Sequence, residues 1–192
     1  MAIADSDALW ANDPARDDML VLVDGLDREI GTASKLDAHV KGLLHRAFSV
    51  VLTRPGEDGP QLLLAQRALG KYHSAGLWAN SCCSHPRAGE GLIDAARRRV
   101  REELGCEAIG LREVGSFAYR AKFGNGLCEY EYDHVLVGGC AGEPCPNPSE
   151  VGELRWVGLE QLAQDLARHP ERFAAWAPMV LTTACAELGR PE

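Results

Sequence analysis

The chain has 192 residues, 46% of them hydrophobic, which is enough for one domain with a sizeable core. Its net charge of −8 argues against the basic surface that a phosphate backbone attracts, so no nucleic-acid partner is expected. No apolar run approaches the roughly 20 residues of a membrane span, and the aspartate-rich start lacks the regions of a signal peptide. A cytoplasmic location follows as the expectation. Seven cysteines, an odd count, fit free thiols in a reducing compartment better than a disulfide framework.

Residues 1–18 read as an acidic leader and 19–190 as a single domain. Leu20 to Val23 and Glu29 to Gly31 read as two strands around the turn Asp24-Gly25. His45 to Leu52 is a β-rich run, Pro55 to Pro60 a turn and Gln61 to Gln66 the strand that completes a hairpin. Tyr72 to Trp78 reads as loop. From Gly91 to Leu104 the apolar residues Leu92, Ala96, Val100 and Leu104 recur every four positions, which predicts a helix ended by Gly105. Val114 to Arg120 and Glu129 to Val137 read as strands around Gly124-Asn125-Gly126. Cys140 to Ser149 is a Pro-rich loop and Leu154 to Val157 a strand. Leu159 to Arg168 and Phe173 to Leu188 read as helices, with Pro170 between them and Pro178 inside the second. Strands, helix, strands, then helices argue an α+β layer structure.

The run Asn80-Ser81-Cys82-Cys83-Ser84-His85-Pro86 puts a thiol and an imidazole two residues apart. Arg99 and Glu103 share a face of the following helix, and Glu102 with Glu103 would make a hard oxygen site for Mg²⁺ or Mn²⁺. Such a pair also reads as an ordinary solvated helix face. Glu129 and Glu131 lie on one face of a strand, with Tyr130 and Tyr132 on the other. Two carboxylates so placed repel unless a cation or proton lies between them. With His39, His45 and His85 they would form a mixed nitrogen and oxygen site suited to Mn²⁺, Fe²⁺ or Zn²⁺.

The stretch Ser84 to Cys106 resembles the Nudix signature at Glu90, Arg98, Val100, Glu102, Glu103 and Gly105. It departs from it at Ser84, at Cys106 and at Arg99, which replaces a glutamate that Nudix hydrolases use for metal binding. An arginine there favours an anionic ligand. Across about Leu20 to Leu181 the chain resembles the type 1 isopentenyl-diphosphate delta-isomerases. The resemblance rests on KLDAH at 35–39, HRAFS at 45–49, QRALGKYHSAGLWANSCCSHP at 66–86, FAYRA at 117–121 and EYEYD at 129–133.

That resemblance implies a Nudix-like mixed β-sheet flanked by helices, with an N-terminal β extension and C-terminal helices. It implies His39, His45, His85, Glu129 and Glu131 as ligands of one divalent ion (Mn²⁺, Zn²⁺ or Fe²⁺), and Cys83 as the catalytic thiol, with Cys82 a bystander. Glu103, with Cys83, looks like the place where Mg²⁺ is held with the substrate diphosphate. Lys35, Arg67, Lys71 and Arg99 match the residues that grip that diphosphate, and Tyr119 matches a tyrosine hydrogen-bonded to the acidic glutamate. Two departures stand out. His39 and His45 are six apart where the pattern has seven. Pro178 stands where an aromatic precedes Met179-Val180, so a cation-stabilising role passes to Trp176 or is absent.

The implied substrate is the small molecule isopentenyl diphosphate, converted to dimethylallyl diphosphate. One proton is added to the terminal alkene carbon and one is removed from C2. Glu131 with Tyr119 reads as the donor and Cys83 as the acceptor, with Trp78 or Trp176 offering a π-face to the cation. The alternatives are a Nudix pyrophosphohydrolase, a metal-binding or interaction protein on a degenerate Nudix fold, and a cysteine hydrolase. The last is disfavoured on the expectation that Cys83 and His85 face apart.

Overall fold

The structure, a computed structural model, describes residues 18–189. The leader expected over 1–18 lies outside the described residues, apart from Asp18. Runs rich in Val, Leu and Ile between Gly, Asp and Pro turns pair into one mixed sheet. Its strands are β1 (Met19–Val23), β2 (Glu29–Ser34), β3 (His45–Gly56), β4 (Gly59–Arg67), β5 (Trp78–Ala79), β6 (Cys82–Ser84), β7 (Glu107–Lys122), β8 (Cys128–Ala141) and β9 (Val151–Gly158). β3 is the hub: it pairs antiparallel with β1, β4 and β6, and parallel with β8 over nine residues, His45 to Thr53.

Among the described residues four α-helices accompany the sheet: α1 (Lys35–Lys41), α2 (Leu92–Leu104), α3 (Leu159–Arg168) and α4 (Ala177–Leu188). The predicted α+β class is the observed one. α1 escapes the sequence reading because its seven residues give the 3.6-residue period little room. Its caps were nevertheless readable: the Ser34 side chain accepts from the Asp37 N–H, and Gly42 closes the helix in the left-handed region. The predicted helix from Phe173 begins instead at Ala177. Pro178 occupies its first turn, where a missing N–H costs nothing, and so starts the helix rather than interrupting it. The turn expected over Pro55 to Pro60 tightens to Glu57-Asp58, with both prolines inside the strands at the hairpin end.

Alternation along the strands splits the core in two. On one side Phe48, Val50, Leu52, Leu63 and Leu136 meet Ala96, Val100 and Leu104 of α2. On the other Val51, Leu62, Leu64 and Val135 meet α3 and α4. The break between Cys82 and Cys83 follows from this: successive residues on β6 point to opposite faces. Cys82 enters the α2 core, and Cys83 turns to the face covered by α4.

Gly105 ends α2 at φ +62, and its N–H donates to the Arg101 carbonyl. A Cβ here would stand 2.5 Å from the Cys145 carbonyl oxygen. The Cys145 backbone is itself fixed, its N–H donating to the Leu104 carbonyl. Gly105→Ala is therefore expected to cost more than the ~1–2 kcal/mol of a left-handed L-residue. The urea midpoint measures it, and an unchanged midpoint would refute the steric argument.

Candidate active site

The five candidate ligands of the His/Glu cluster come from four pieces of backbone. His39 is on α1, His45 opens β3, His85 follows β6, and Glu129 and Glu131 are on the inward face of β8. Parallel pairing sets His45 directly beside Glu131, and antiparallel pairing sets Tyr119 on its other side. One row across three strands thus carries an imidazole, a carboxylate and a phenol. The six-residue spacing between His39 and His45 is spanned by the end of α1 and its Gly42 cap.

The five ligand atoms lie within 4.8 Å of one another. The Nδ1 of His39 is 2.6 Å from the Lys35 carbonyl, and that of His45 is 2.8 Å from the Leu43 carbonyl. A carbonyl accepts only, so Nδ1 holds a proton in both rings; in the neutral ring Nε2 then turns a lone pair to the centre, the tautomer a metal needs. There His45 Nε2 and His85 Nε2 are 3.2 Å apart. Glu131 Oε1 is 2.8 Å from His85 Nε2, and Glu129 Oε2 is 3.0 Å from His39 Nε2. Burial lowers His85 to about 4, so its ring is neutral. Burial also opposes charge on His39, yet Glu129 outweighs it and raises that ring. Three inward imidazoles and two ionised carboxylates make a donor set that fits a divalent cation.

Glu131 faces two ways. While Oε1 meets His85, Oε2 accepts a 2.5 Å hydrogen bond from the Tyr119 hydroxyl. Burial, then the Glu131 charge, push the Tyr119 phenol well above its usual range, so it stays a donor. The Cys83 thiol lines the same cleft. It donates to Asn80 Oδ1 at 3.0 Å, accepts from Trp176 Nε1 at 3.1 Å and is 3.4 Å from Ser49 Oγ. Ser49 donates at 2.8 Å to Asp133 Oδ2. Burial, then Asp133, push the thiol up, and burial with Glu131 pushes the Asp133 carboxyl well up.

Lys35, Arg67, Lys71, Arg99 and Glu103 line this cleft as well. Lys71 pairs with Glu150 at 2.6 Å. The Arg67 guanidinium is 5.3 Å from the centre of the Trp176 ring. Arg99 pairs with Glu102 at 2.8 Å and with Glu103, while its buried Nε has no hydrogen-bond partner. Glu90 and Arg98 of the Nudix-like stretch form a two-pronged ion pair at 2.7 and 2.8 Å that fastens the loop before α2 to the helix.

Three expectations need correction. Glu102 and Glu103 form no joint oxygen site: adjacent helix positions point about 100° apart, and Glu102 is turned to solvent between Arg98 and Arg99. Cys83 and His85 do not face apart. Residues two apart on an extended run share a face, and both line the cleft. The hydrolase pairing fails for another reason: the thiol bonds Asn80 and Trp176, while His85 Nε2 is taken up by Glu131 and His45. Trp78 is absent from the cleft lining, its ring instead 4.9 Å from the Arg155 guanidinium carbon.

Sequence reasoning missed Ser49, His73, Asn80, Asp133 and Glu150. Asp133 alone carried a signal, since it continues the two-residue alternation of Glu129 and Glu131.

The NUDIX domain family model matches residues 43–177. The chain is 48% identical over 160 residues to isopentenyl-diphosphate Delta-isomerase 2 of Aromatoleum aromaticum, covering 83% of this chain and 82% of that one. It is 47% identical over 174 residues to isopentenyl-diphosphate Delta-isomerase of Photobacterium profundum, covering 90% and 97%. A crystal structure of a Deinococcus radiodurans protein superposes with a TM-score of 0.64 at 23% identity, over 90% of this chain and 99% of that one. The MutT NUDIX hydrolase of Burkholderia pseudomallei superposes at 0.57 and 20%, over 73% and 97%. These two likenesses speak for the fold alone. Among the described residues no helix is long and apolar enough to cross a membrane. By sequence kinship across most of its length, the chain belongs to the isopentenyl-diphosphate Delta-isomerase family, within the NUDIX fold.

Proposed function

We propose that this chain converts isopentenyl diphosphate to dimethylallyl diphosphate by a 1,3-allylic proton shift, within isoprenoid biosynthesis. The observation that carries the reading is the divided carboxylate of Glu131, bonded to Tyr119 on one oxygen and facing the imidazoles on the other, in one cleft with the Cys83 thiol. An alkene is a very weak base, so it needs a strong acid on one side, a base on the other and exclusion of water.

In the forward direction Glu131 with Tyr119 gives a proton to the terminal carbon. Positive charge forms at C3, the C2–H electron pair becomes the new double bond, and Cys83 takes the C2 proton. Burial holds Cys83 as a thiol, while His45 and His85, against burial and the Glu129 charge, hold Glu131 ionised. The forward step starts from the tautomer with carboxylic acid and thiolate, which holds the same number of protons and differs by one internal transfer. The Trp176 N–H faces the sulfur and stabilises its charge. Trp176 also offers a ring to the cation, worth about 2 kcal/mol when desolvated.

His39, His45, His85, Glu129 and Glu131 would hold one Mn²⁺, or Zn²⁺ or Fe²⁺, and Glu103 beside Cys83 would meet Mg²⁺ carried by the diphosphate. A bound divalent ion supplies positive charge that acidifies a carboxyl and screens phosphate oxygens. Lys35, Arg67, Lys71 and Arg99, which line the cleft, bind the diphosphate. Seven free cysteines support a reducing location, the cytoplasm.

Purified protein with isopentenyl diphosphate and Mg²⁺ or Mn²⁺ is expected to yield dimethylallyl diphosphate, read by proton NMR. No product under any metal condition removes the proposal. Phosphate release from nucleoside diphosphates would favour a pyrophosphohydrolase instead.

A further inference from the structure

We infer that His73 is a positioning residue for the cation site: it fixes the Glu129 carboxylate and fastens the loop 68–77 to it. A buried carboxylate with rotational freedom would offer either oxygen to a cation. His73 removes that freedom. Its Nε2 is 2.6 Å from Glu129 Oε1, while Glu129 Oε2 stands 3.0 Å from His39 Nε2. One oxygen is committed to the loop, and the other is turned to the imidazole cluster.

The His73 ring is itself held. It stacks on Phe123 with ring centres 4.3 Å apart and planes 8° from parallel. Its Nδ1 is 3.2 Å from Ser74 Oγ. A hydroxyl donating there leaves the ring proton on Nε2, where Glu129 requires a donor. Ser74 has φ +51, a left-handed conformation that is strained for a non-glycine residue. Such strain persists where surrounding contacts over-determine it.

The loop is docked a second time on the β7–β8 turn, where Asn125 Nδ2 donates at 2.9 Å to the Tyr72 carbonyl. Lys71 lies on the same loop and lines the cleft. The anion-facing lysine and the Glu129 carboxylate are therefore tied into one unit by His73. Partners of this kind behind a ligating carboxylate orient the ligand and are worth 10–100-fold in metal affinity.

The inference rests on the assignment of Glu129 to the cation site, so the test includes that residue. Mn²⁺ affinity is measured without substrate, by competition with a chromophoric chelator, for wild type, Glu129→Ala, His73→Phe and His73→Gln. His73→Phe keeps the stack on Phe123 and removes the donor. It is expected to bind Mn²⁺ about 10–100-fold more weakly, whereas His73→Gln keeps an N–H and is expected within about threefold of wild type. Hydrogen exchange of residues 68–77 is expected to slow on Mn²⁺ loading in wild type and His73→Gln, but not in His73→Phe. Wild-type affinity in His73→Phe, weakened binding in His73→Gln, or equal loop protection in all three overturns the role of His73. If Glu129→Ala binds Mn²⁺ as tightly as wild type, the cation-site assignment fails and this inference with it. A lower melting point of metal-free His73→Phe with unchanged affinity assigns the residue to stability alone.

Discussion

Cys83→Ala is expected to lose a factor of about 10²–10⁴ in turnover, the range a positioned proton carrier contributes, with KM for isopentenyl diphosphate little changed. Among the described residues the thiol's hydrogen-bond partners are the uncharged Asn80, Ser49 and Trp176. Its loss therefore falls on the chemical step rather than on diphosphate binding. Cys83→Ser keeps an acceptor for the Trp176 N–H and a donor for Asn80, but an alkoxide is far harder to form than a thiolate. The serine variant should be nearly as slow as the alanine one. Turnover of either variant at the wild-type rate would eliminate the thiol as a proton carrier. Cys82→Ala, one residue away but turned into the α2 core, should isomerise normally. In D₂O the alanine variant should still exchange deuterium slowly at the terminal carbon, because the Glu131–Tyr119 side is intact.

What the sequence disclosed about this site depended on the range of the contact. The two-residue alternation of a strand put Glu129 and Glu131 on one face without any tertiary knowledge. The turn at Gly124-Asn125-Gly126 nearly fixed a second fact. In a hairpin, residues equidistant from the turn pair, and Tyr119 and Glu131 are each six from Asn125. The pairing of His45 with Glu131 has no such local origin. It is parallel, and parallel strands are joined by long crossovers whose register is set by packing. The five-ligand set accordingly came from family resemblance rather than from spacing.

The residues missed, Asn80 apart, share one property: each acts on another side chain across the fold. Ser49 reaches Cys83 and Asp133 over 34 and 84 residues, and His73 reaches Glu129 over 56. A lone serine or histidine in a loop reads as nothing in particular. Glu150, an acid among the basic residues of the cleft, is visible only once its ion pair with Lys71 is seen. Cys83 and His85 obey the same alternation as Glu129 and Glu131, so their shared face is a local property of the sequence.

Glu131→Gln should cause the other large loss, and for two separable reasons. Glutamine matches the shape of glutamate but neither ionises nor carries the transferred proton, so turnover should again fall by about 10²–10⁴. It also removes one anionic donor from the His/Glu cluster, so Mn²⁺ binding should weaken in the absence of substrate. Tyr119→Phe separates the two effects. The phenol bonds Oε2, whereas Oε1 faces the imidazoles. Losing that hydrogen bond to a charged group, about 1.5–3 kcal/mol, predicts roughly a 10–100-fold loss of turnover. Mn²⁺ affinity should fall less than in Glu131→Gln, because Oε1 still faces the imidazoles. Equal weakening of Mn²⁺ binding in Tyr119→Phe and Glu131→Gln would contradict the division of the carboxylate. The proton roles are read from the reverse reaction: given dimethylallyl diphosphate in D₂O, Glu131→Gln should exchange slowly at C2, where Cys83 still acts. Exchange confined to the terminal carbon in that variant would interchange the roles of the two residues.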